Sequence, residues 1–231
     1  MGMLRYCFGL TLLLATLPSS ALALPAPTSG DPSAISGRTL GNHQVLLAAG
    51  VGWPGFWAEA LFSPSRTLDV GVRGDVLYGS PLLGFGTGVG GEVSVPLRLH
   101  LWAGEKSDFS LAGRPFLDLG DGSLVGEQGI FAGSFGYALG LEIEGLLGVQ
   151  VSGGVTLTVG AGSNLAFTNV PENSASGDLI GSLYGVVGVE AIFSGTTLLF
   201  ARIRGGYGFA PDRLFDSRAN LRVSFGVAYQ L

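Results

Sequence analysis

The sequence contains few of the residues from which most enzyme and metal sites are built. Its 231 residues include a single cysteine, Cys7, and two histidines, His43 and His100. Cys7 lies in the first 23 residues, which we expect to be removed, so the mature chain would lack disulfides, a thiol nucleophile and cysteine metal ligands. Two separated histidines cannot build a zinc site by themselves. We therefore expect no metal ion and no cofactor.

Charge and long hydrophobic runs are also scarce. Charged residues make up 13% of the chain and the formal net charge is −5, so no basic field attracts nucleic acid, which we do not expect as a partner. The mean hydropathy of +0.47 is typical of membrane proteins. No stretch after residue 23 is long and apolar enough for a transmembrane helix. A high mean hydropathy without a transmembrane helix is explained if hydrophobic residues recur at every second position, as they do in strands that cross a membrane.

The first 43 residues differ from the rest of the chain. Arg5, an apolar run over residues 7–17, Pro18 and a small-residue site ending at Ala23 indicate a cleavable secretory signal over residues 1–23. A buried or membrane-spanning helix is the alternative, but the run is too short to span a bilayer. Residues 24–43 are rich in Pro, Ser and Gly without apolar periodicity. They predict a flexible periplasmic lead-in.

From residue 44 to residue 231, apolar side chains alternate with small or polar ones in runs of strand length. These runs predict an all-β fold, an antiparallel transmembrane up-and-down barrel of about ten strands. If the first two runs, which only Trp53, Pro54 and Gly55 separate, belong elsewhere, the barrel has about eight. The predicted runs are 44–52, 56–63, 68–78, 84–102, 109–118, 130–144, 147–160, 179–193, 197–207 and from 219 onward.

The terminal strand carries the most specific signal. Its final residues place Phe225, Val227, Tyr229 and Leu231 on one face. This pattern resembles the C-terminal assembly signal of Gram-negative outer-membrane β-barrels, which normally ends on an aromatic residue, whereas this chain ends on Leu231. The resemblance implies secretion across the inner membrane and localisation in the cell outer membrane. It implies three partners: outer-membrane lipid, lipopolysaccharide and the barrel assembly machinery. It leaves the oligomeric state open.

If the apolar faces contact lipid, the same alternation assigns charged residues to the lumen. Because Arg202, Arg204 and Arg222 fall close together, we expect acids such as Glu190 or Glu142 opposite them. Such charges could line a narrow pore for small solutes. They could instead form a closed network in a nearly filled barrel, which we favour. The predicted luminal charge network consists of Arg73, Asp75, Glu92, Arg98, His100, Arg114, Glu142, Glu190, Arg202, Arg204 and Arg222.

We expect a non-enzymatic integral membrane barrel without catalytic residues. His43 precedes the first predicted strand and His100 lies near a periplasmic strand end, so neither is placed for a surface active site. The alternative function is a surface enzyme, such as a lipid A hydrolase or protease, or an adhesin. It would act through the predicted external loops at residues 119–129 and 161–178.

Overall fold

The computed structural model describes residues 33–38, 40–41, 43–79, 89–120, 136–169, 179–209 and 218–231. None of these residues belongs to a helix with the length and apolar character required to cross a membrane. The strands in the described part of the chain are β1 (Val45–Trp53), β2 (Gly55–Ser65), β3 (Leu68–Leu77), β4 (Gly90–Ser94), β5 (Leu97–Ala103), β6 (Ser107–Gly120), β7 (Tyr137–Ser152), β8 (Val155–Asn169), β9 (Leu179–Ser194), β10 (Thr197–Phe209) and β11 (Arg218–Gln230).

These strands form a closed barrel. Strands β4 and β5 act as the two halves of one spanning strand, because both pair with β3 and with β6. Each spanning strand is antiparallel to the strands before and after it in the chain, and the first strand, β1, pairs with the last, β11. The prediction of an all-β, up-and-down barrel with ten strands is confirmed, and the eight-strand alternative is not needed.

The break between β4 and β5 occurs at Val95 and Pro96. Proline lacks a backbone N–H and cannot donate to the ladder. The backbone N–H of Gly71 still donates to the Pro96 carbonyl at 2.9 Å, and that of Val95 donates to the Pro115 carbonyl at 3.0 Å. The wall therefore remains hydrogen-bonded across the break.

One predicted turn is wrong. We expected a turn at Gly145 and Leu146, but β7 continues through both, and the turn lies at Gly153 and Gly154. Gly154 has a φ of 84°, a left-handed conformation that glycine adopts without steric cost. The shift moves residues 161–169, expected in an external loop, into β8. Residues 84–88 and 130–135 of two predicted strands lie outside the described residues.

The outer surface is apolar and the interior is polar. Among the strand residues whose burial is described, no Asp, Glu, Lys or Arg is exposed. The large hydrophobic side chains exposed there are Val, Leu, Ile, Phe, Tyr and Trp, including Phe225, Val227 and Tyr229 of β11. A soluble sandwich would bury such residues between its sheets. This exterior matches the lipid-facing surface of a spanning barrel.

The connections indicate which end of the barrel faces the periplasm. The four connections at one end consist of residues 66–67, 104–106, 153–154 and 195–196. Four of the connections at the other end include the longer stretches 78–89, 121–136, 170–178 and 210–217. Outer-membrane barrels have short periplasmic turns and longer external loops. We therefore assign the end with the four short connections to the periplasm.

The lipid-facing surface predicts a depth-dependent cost for charge. Val187 lies midway along β9 and is 61% exposed, whereas Val89, at the external end of β4, is 72% exposed. We expect Val187→Arg to reduce the free energy of unfolding from a bilayer by about 2–4 kcal/mol, and Val89→Arg by about 0–1 kcal/mol. Urea-dependent folding into lipid vesicles measures both values. Equal, small losses at the two positions would contradict a lipid-facing exterior.

Candidate functional site in the barrel lumen

Most of the charged side chains inside the barrel form two groups at different heights. The central charge layer lies midway between the barrel ends and consists of Arg73, Asp75, Glu92, Arg114, Glu142, Glu144, Arg202 and Arg204. The periplasmic seal consists of residues 33–38 and 40 together with the wall residues Asp69, Arg98, His100, Asp108 and Glu190.

Arg114 connects three strands in the central charge layer. It lies on β6, where its guanidinium donates to Glu92 of β4 at 2.5 Å and to both carboxylate oxygens of Glu142 on β7, each at 3.1 Å. All three side chains are buried. Two carboxylates on the strands that flank β6 thus share one cation through charge-assisted hydrogen bonds, the strong class of such bonds.

A second part of the layer joins β10 to β7 across the lumen. Arg204 lies 3.2 Å from Glu142 and 2.8 Å from Glu144, and Arg202 lies 2.5 Å from Glu144. Glu142 therefore contacts arginines from opposite sides of the barrel. We expected this role for Glu142 from the sequence, whereas Glu144, which has the same strand phase, was missed.

The third part of the layer lies on β2 and β3. Arg73 donates to both oxygens of Asp75, at 2.6 and 2.9 Å, and its nearest contact with Glu59 is 3.7 Å. Its guanidinium carbon lies 4.2 Å from the ring centroid of Trp57, a cation–π geometry. The layer therefore extends from β2 around the wall to β10.

The periplasmic seal begins where the chain segment before β1 enters the barrel. Glu190 of β9 accepts three hydrogen bonds from this segment: from the Ser33 hydroxyl at 2.7 Å, the Ala34 N–H at 2.6 Å and the Ile35 N–H at 2.9 Å. No described residue forms an ion pair with Glu190. The hydrogen bonds from the segment are what satisfy this buried carboxylate.

Arg98 holds the opposite side of the same segment. Its guanidinium donates to the Ser33 carbonyl at 3.0 Å, to the Ser36 carbonyl at 3.2 Å and to Asp69 at 2.8 Å. Asp69 in turn accepts from the Leu40 N–H at 3.2 Å. Wall charges thereby satisfy backbone groups that the segment could not pair within itself.

The segment contributes one charged and one apolar anchor of its own. Arg38 contacts Asp108 at 2.8 Å, near the β5–β6 turn. Ile35 packs in a buried cluster with Leu46 and Phe200, and a Cβ added at Gly188 would lie 2.7 Å from the Ile35 Cδ1. The absence of a side chain at Gly188 therefore leaves the space that Ile35 occupies.

This arrangement differs from the flexible lead-in expected over residues 24–43. Ser33, Ile35, Ser36, Arg38 and Leu40 are buried. Residues 24–32, 39 and 42 lie outside the described part of the chain. The composition indicated flexibility because the segment has no periodic apolar face that could pack in a hydrophobic core. In the structure, hydrogen bonds to luminal side chains hold the segment in place instead.

Two cavities flank the central charge layer. One, of about 90 Å³, lies between the layer and the seal, with Ile35 and Arg98 on the seal side and Glu142 on the layer side. The other, of about 40 Å³, lies against the β1–β2 hairpin and borders Arg222. Trp57, Arg73, Arg202 and Arg204 line both cavities, so a layer about one side chain thick separates them.

The predicted luminal residues all lie inside the barrel wall, but they do not form one network. Arg98, His100 and Glu190 belong to the seal, so of the two acids expected opposite the arginines of β10, Glu142 pairs with Arg204 and Glu190 does not. Arg222 has no ion pair within the described residues. Asp69, Asp108, Asp118 and Glu144 were missed, although the strand phase that selected their neighbours places them inside as well.

His100, which the sequence places near a periplasmic strand end, lies in the periplasmic seal. The Nδ1 atom of His100 lies 2.9 Å from the Gly37 carbonyl oxygen in the seal, and the ring is fully buried. No group of three or more His, Cys, Asp or Glu among the described residues could hold a metal ion. Residues 121–129 and 170–178 of the two loops proposed for an enzyme or adhesin lie outside the described residues.

Comparison with known proteins gives structural similarity only. No protein-family model matches the chain, and no curated protein matches it. Ail, the attachment invasion locus protein of Yersinia pestis, is 13% identical with a TM-score of 0.39, and the match covers 82% of this chain and 99% of Ail. An outer membrane channel from Pseudomonas putida is 10% identical with a TM-score of 0.45, covering 94% of this chain and 100% of the channel.

A third solved structure is the outer membrane channel DcaP of Acinetobacter baumannii. It is 10% identical with a TM-score of 0.34, and the match covers 89% of this chain and 69% of DcaP. The similar structures are thus bacterial outer-membrane β-barrels. We carry neither ligand nor activity from them to this chain.

The pairing of Arg114 predicts a large effect of its removal. Arg114→Met leaves Glu92 and Glu142 without their shared cation, and we expect the free energy of unfolding to fall by about 3–5 kcal/mol. Urea-dependent unfolding in lipid vesicles measures the change. Arg66→Met, in the exposed β2–β3 turn, is the matched control, with an expected change within about 0.5 kcal/mol. Similar losses in both variants would contradict the bridging role of Arg114.

Proposed function

We propose that this protein is an integral barrel of the outer membrane whose lumen is closed at rest, so that it serves as a structural membrane barrel rather than as an open pore. The observation that carries the proposal is the periplasmic seal, in which residues 33–38 and 40 occupy the lumen and bond to wall charges from four strands. The apolar exterior and the closed hydrogen-bond ring support membrane insertion.

The bonding of the seal supports closure at the periplasmic end. The segment bonds to Glu190 on β9 and to Arg98 on β5, so it is held from separate parts of the wall. The Ser33 side chain is 2% exposed and that of Ser36 is fully buried, which leaves little open space around them. A solute entering from the periplasm would have to displace these hydrogen bonds.

The central charge layer supports closure of the lumen at a second height. Glu142 contacts Arg114 on one side and Arg204 on the other, and these ion pairs cross the path between the two cavities. An ion passing through this layer would have to separate Glu142 and Glu144 from the arginines that neutralise them. Arginine and glutamate thus act here as packing that fills the lumen, as expected for a barrel of this size.

Planar-bilayer recording tests the proposal directly. We expect the inserted chain from residue 24 to residue 231 to give no stable unitary conductance steps, because the seal and the central charge layer both block the lumen. Steps of constant size from this chain would contradict a closed barrel and favour the narrow pore. Insertion is established beforehand by the shift in electrophoretic mobility between heated and unheated samples.

A second recording addresses the seal itself. We expect a variant with residues 33–38 replaced by glycine and serine to show brief openings, since Glu190 and Arg98 lose their partners and water can enter. Glu105→Gln, in the exposed β5–β6 turn, is the control and should remain silent. Openings in the control as frequent as those in the seal variant would show that the seal does not determine closure.

A further inference from the structure

The cavity against the β1–β2 hairpin has an unbalanced lining. Its volume is about 40 Å³, and its charged lining consists of four arginines and one carboxylate, Asp75. The arginines come from three strands: Arg73 from β3, Arg202 and Arg204 from β10, and Arg222 from β11. The acids that neutralise Arg202 and Arg204 lie across the lumen on β7 and do not line this cavity.

Four buried N–H groups around this cavity lack an acceptor. The Nε atoms of Arg202 and Arg204 and the indole Nε1 atoms of Trp53 and Trp57 are buried, and none has a hydrogen-bond partner among the described residues. Each belongs to a residue that lines the cavity. Buried donors are nearly always paired, because leaving one unpaired costs its full desolvation free energy. Four such donors on residues that line one cavity indicate a place for an acceptor.

Arg222 strengthens the indication that the acceptor is negatively charged. Its Cα pairs in register with that of Arg204, so two guanidinium groups project from neighbouring strands into the same side of the lumen. Like charges directly opposite each other on adjacent strands are destabilising. Arg204 has ion pairs with Glu142 and Glu144, whereas Arg222 interacts with Asp75 and Glu142 only at a longer distance and has no ion pair with a described acid. An anion between these groups would relieve the repulsion.

We propose that this cavity, lined by Arg73, Arg202, Arg204, Arg222 and Trp57, binds a small soluble oxyanion of the carboxylate or phosphate class. Planar guanidinium groups bind such anions through paired N–H donors, which favours an oxyanion over a halide. A cavity needs about 10–15 Å³ to hold one water molecule. At about 40 Å³, this cavity has room for roughly three groups of that size, which is enough for a small oxyanion.

The position of the site favours a soluble anion over a lipid headgroup. The arginines lie on the inner face of the wall, whereas the acyl chains of a lipid remain against the apolar outer face. A phosphate attached to those chains would have to cross a hydrogen-bonded wall to reach the cavity. The site therefore faces the aqueous side of the lumen. Its occupancy does not depend on whether the lumen conducts.

Isothermal titration of the full refolded chain with inorganic phosphate tests the proposal. We expect saturable binding at constant ionic strength, and a dissociation constant at least about tenfold higher for Arg222→Gln, because a charge-assisted pair is lost. Arg222 is suited to substitution since it has no ion pair in the described structure to break. Arg66→Gln, in the exposed turn, is the control and should bind like the unmodified chain.

Three results would overturn the proposal: no saturable heat with phosphate, equal affinity for phosphate and chloride, or equal phosphate affinity in Arg222→Gln and Arg66→Gln. If Arg222→Gln does not fold, Trp57→Phe provides the test, since it removes the indole donor and keeps an aromatic ring beside Arg73. The same tenfold loss is expected, and unchanged affinity would count against the site.

A titration with vesicles of anionic phospholipid separates the two sources of phosphate. We expect the unmodified chain and Arg222→Gln to respond equally to the vesicles, because the headgroups do not reach the lumen. If the two chains differ with vesicles but bind free phosphate equally, the arginines recognise a lipid headgroup and the proposal of a soluble oxyanion is wrong.

Discussion

Pairing of every backbone N–H and C=O group is the constraint on which the rest of this structure depends. In hydrocarbon no water can satisfy these groups, so a sheet can remain there only if it closes on itself. The pairing of β1 with β11, from Leu46 opposite Gln230 to Trp53 opposite Val223, provides that closure. Even at Pro96, where one donor is missing, neighbouring backbone bonds keep the wall continuous.

Closure determines where the charges go. Strand side chains alternate between the two faces, so a chain that shows valine and leucine to lipid sends its remaining side chains into the lumen. There they must be small or paired. Arginine and glutamate from strands distant in sequence meet across the lumen, as Arg204 and Glu142 do at 3.2 Å. The ion pairs of the central charge layer are thus the interior counterpart of the apolar exterior.

The sequence was sufficient to predict properties that follow from the period of two: strand number, closure and the inward direction of residues such as Glu92 and Arg114. It was insufficient where several local patterns were equivalent. Gly145 with Leu146 and Gly153 with Gly154 both offered glycine for a turn, and the register with β8 selected the second pair. Glu190 and Glu142 were both candidates to pair with the arginines of β10, because strand phase gives a direction but not the height at which charges meet.

The periplasmic seal was hidden from sequence analysis for a different reason. Its bonds to Glu190 and Arg98 use mainly backbone groups, such as the Ala34 and Ile35 N–H and the Ser33 and Ser36 carbonyls, so side-chain pattern carries little information about them. Because backbone groups of the segment satisfy buried wall charges, opening of the seal is coupled to hydration of those charges. Glu190 is buried without an ion pair among the described residues, and removing the segment would leave this carboxylate without its donors. Release of the seal therefore requires water to enter the lumen at the same time, because only water can replace the backbone donors that the segment takes with it.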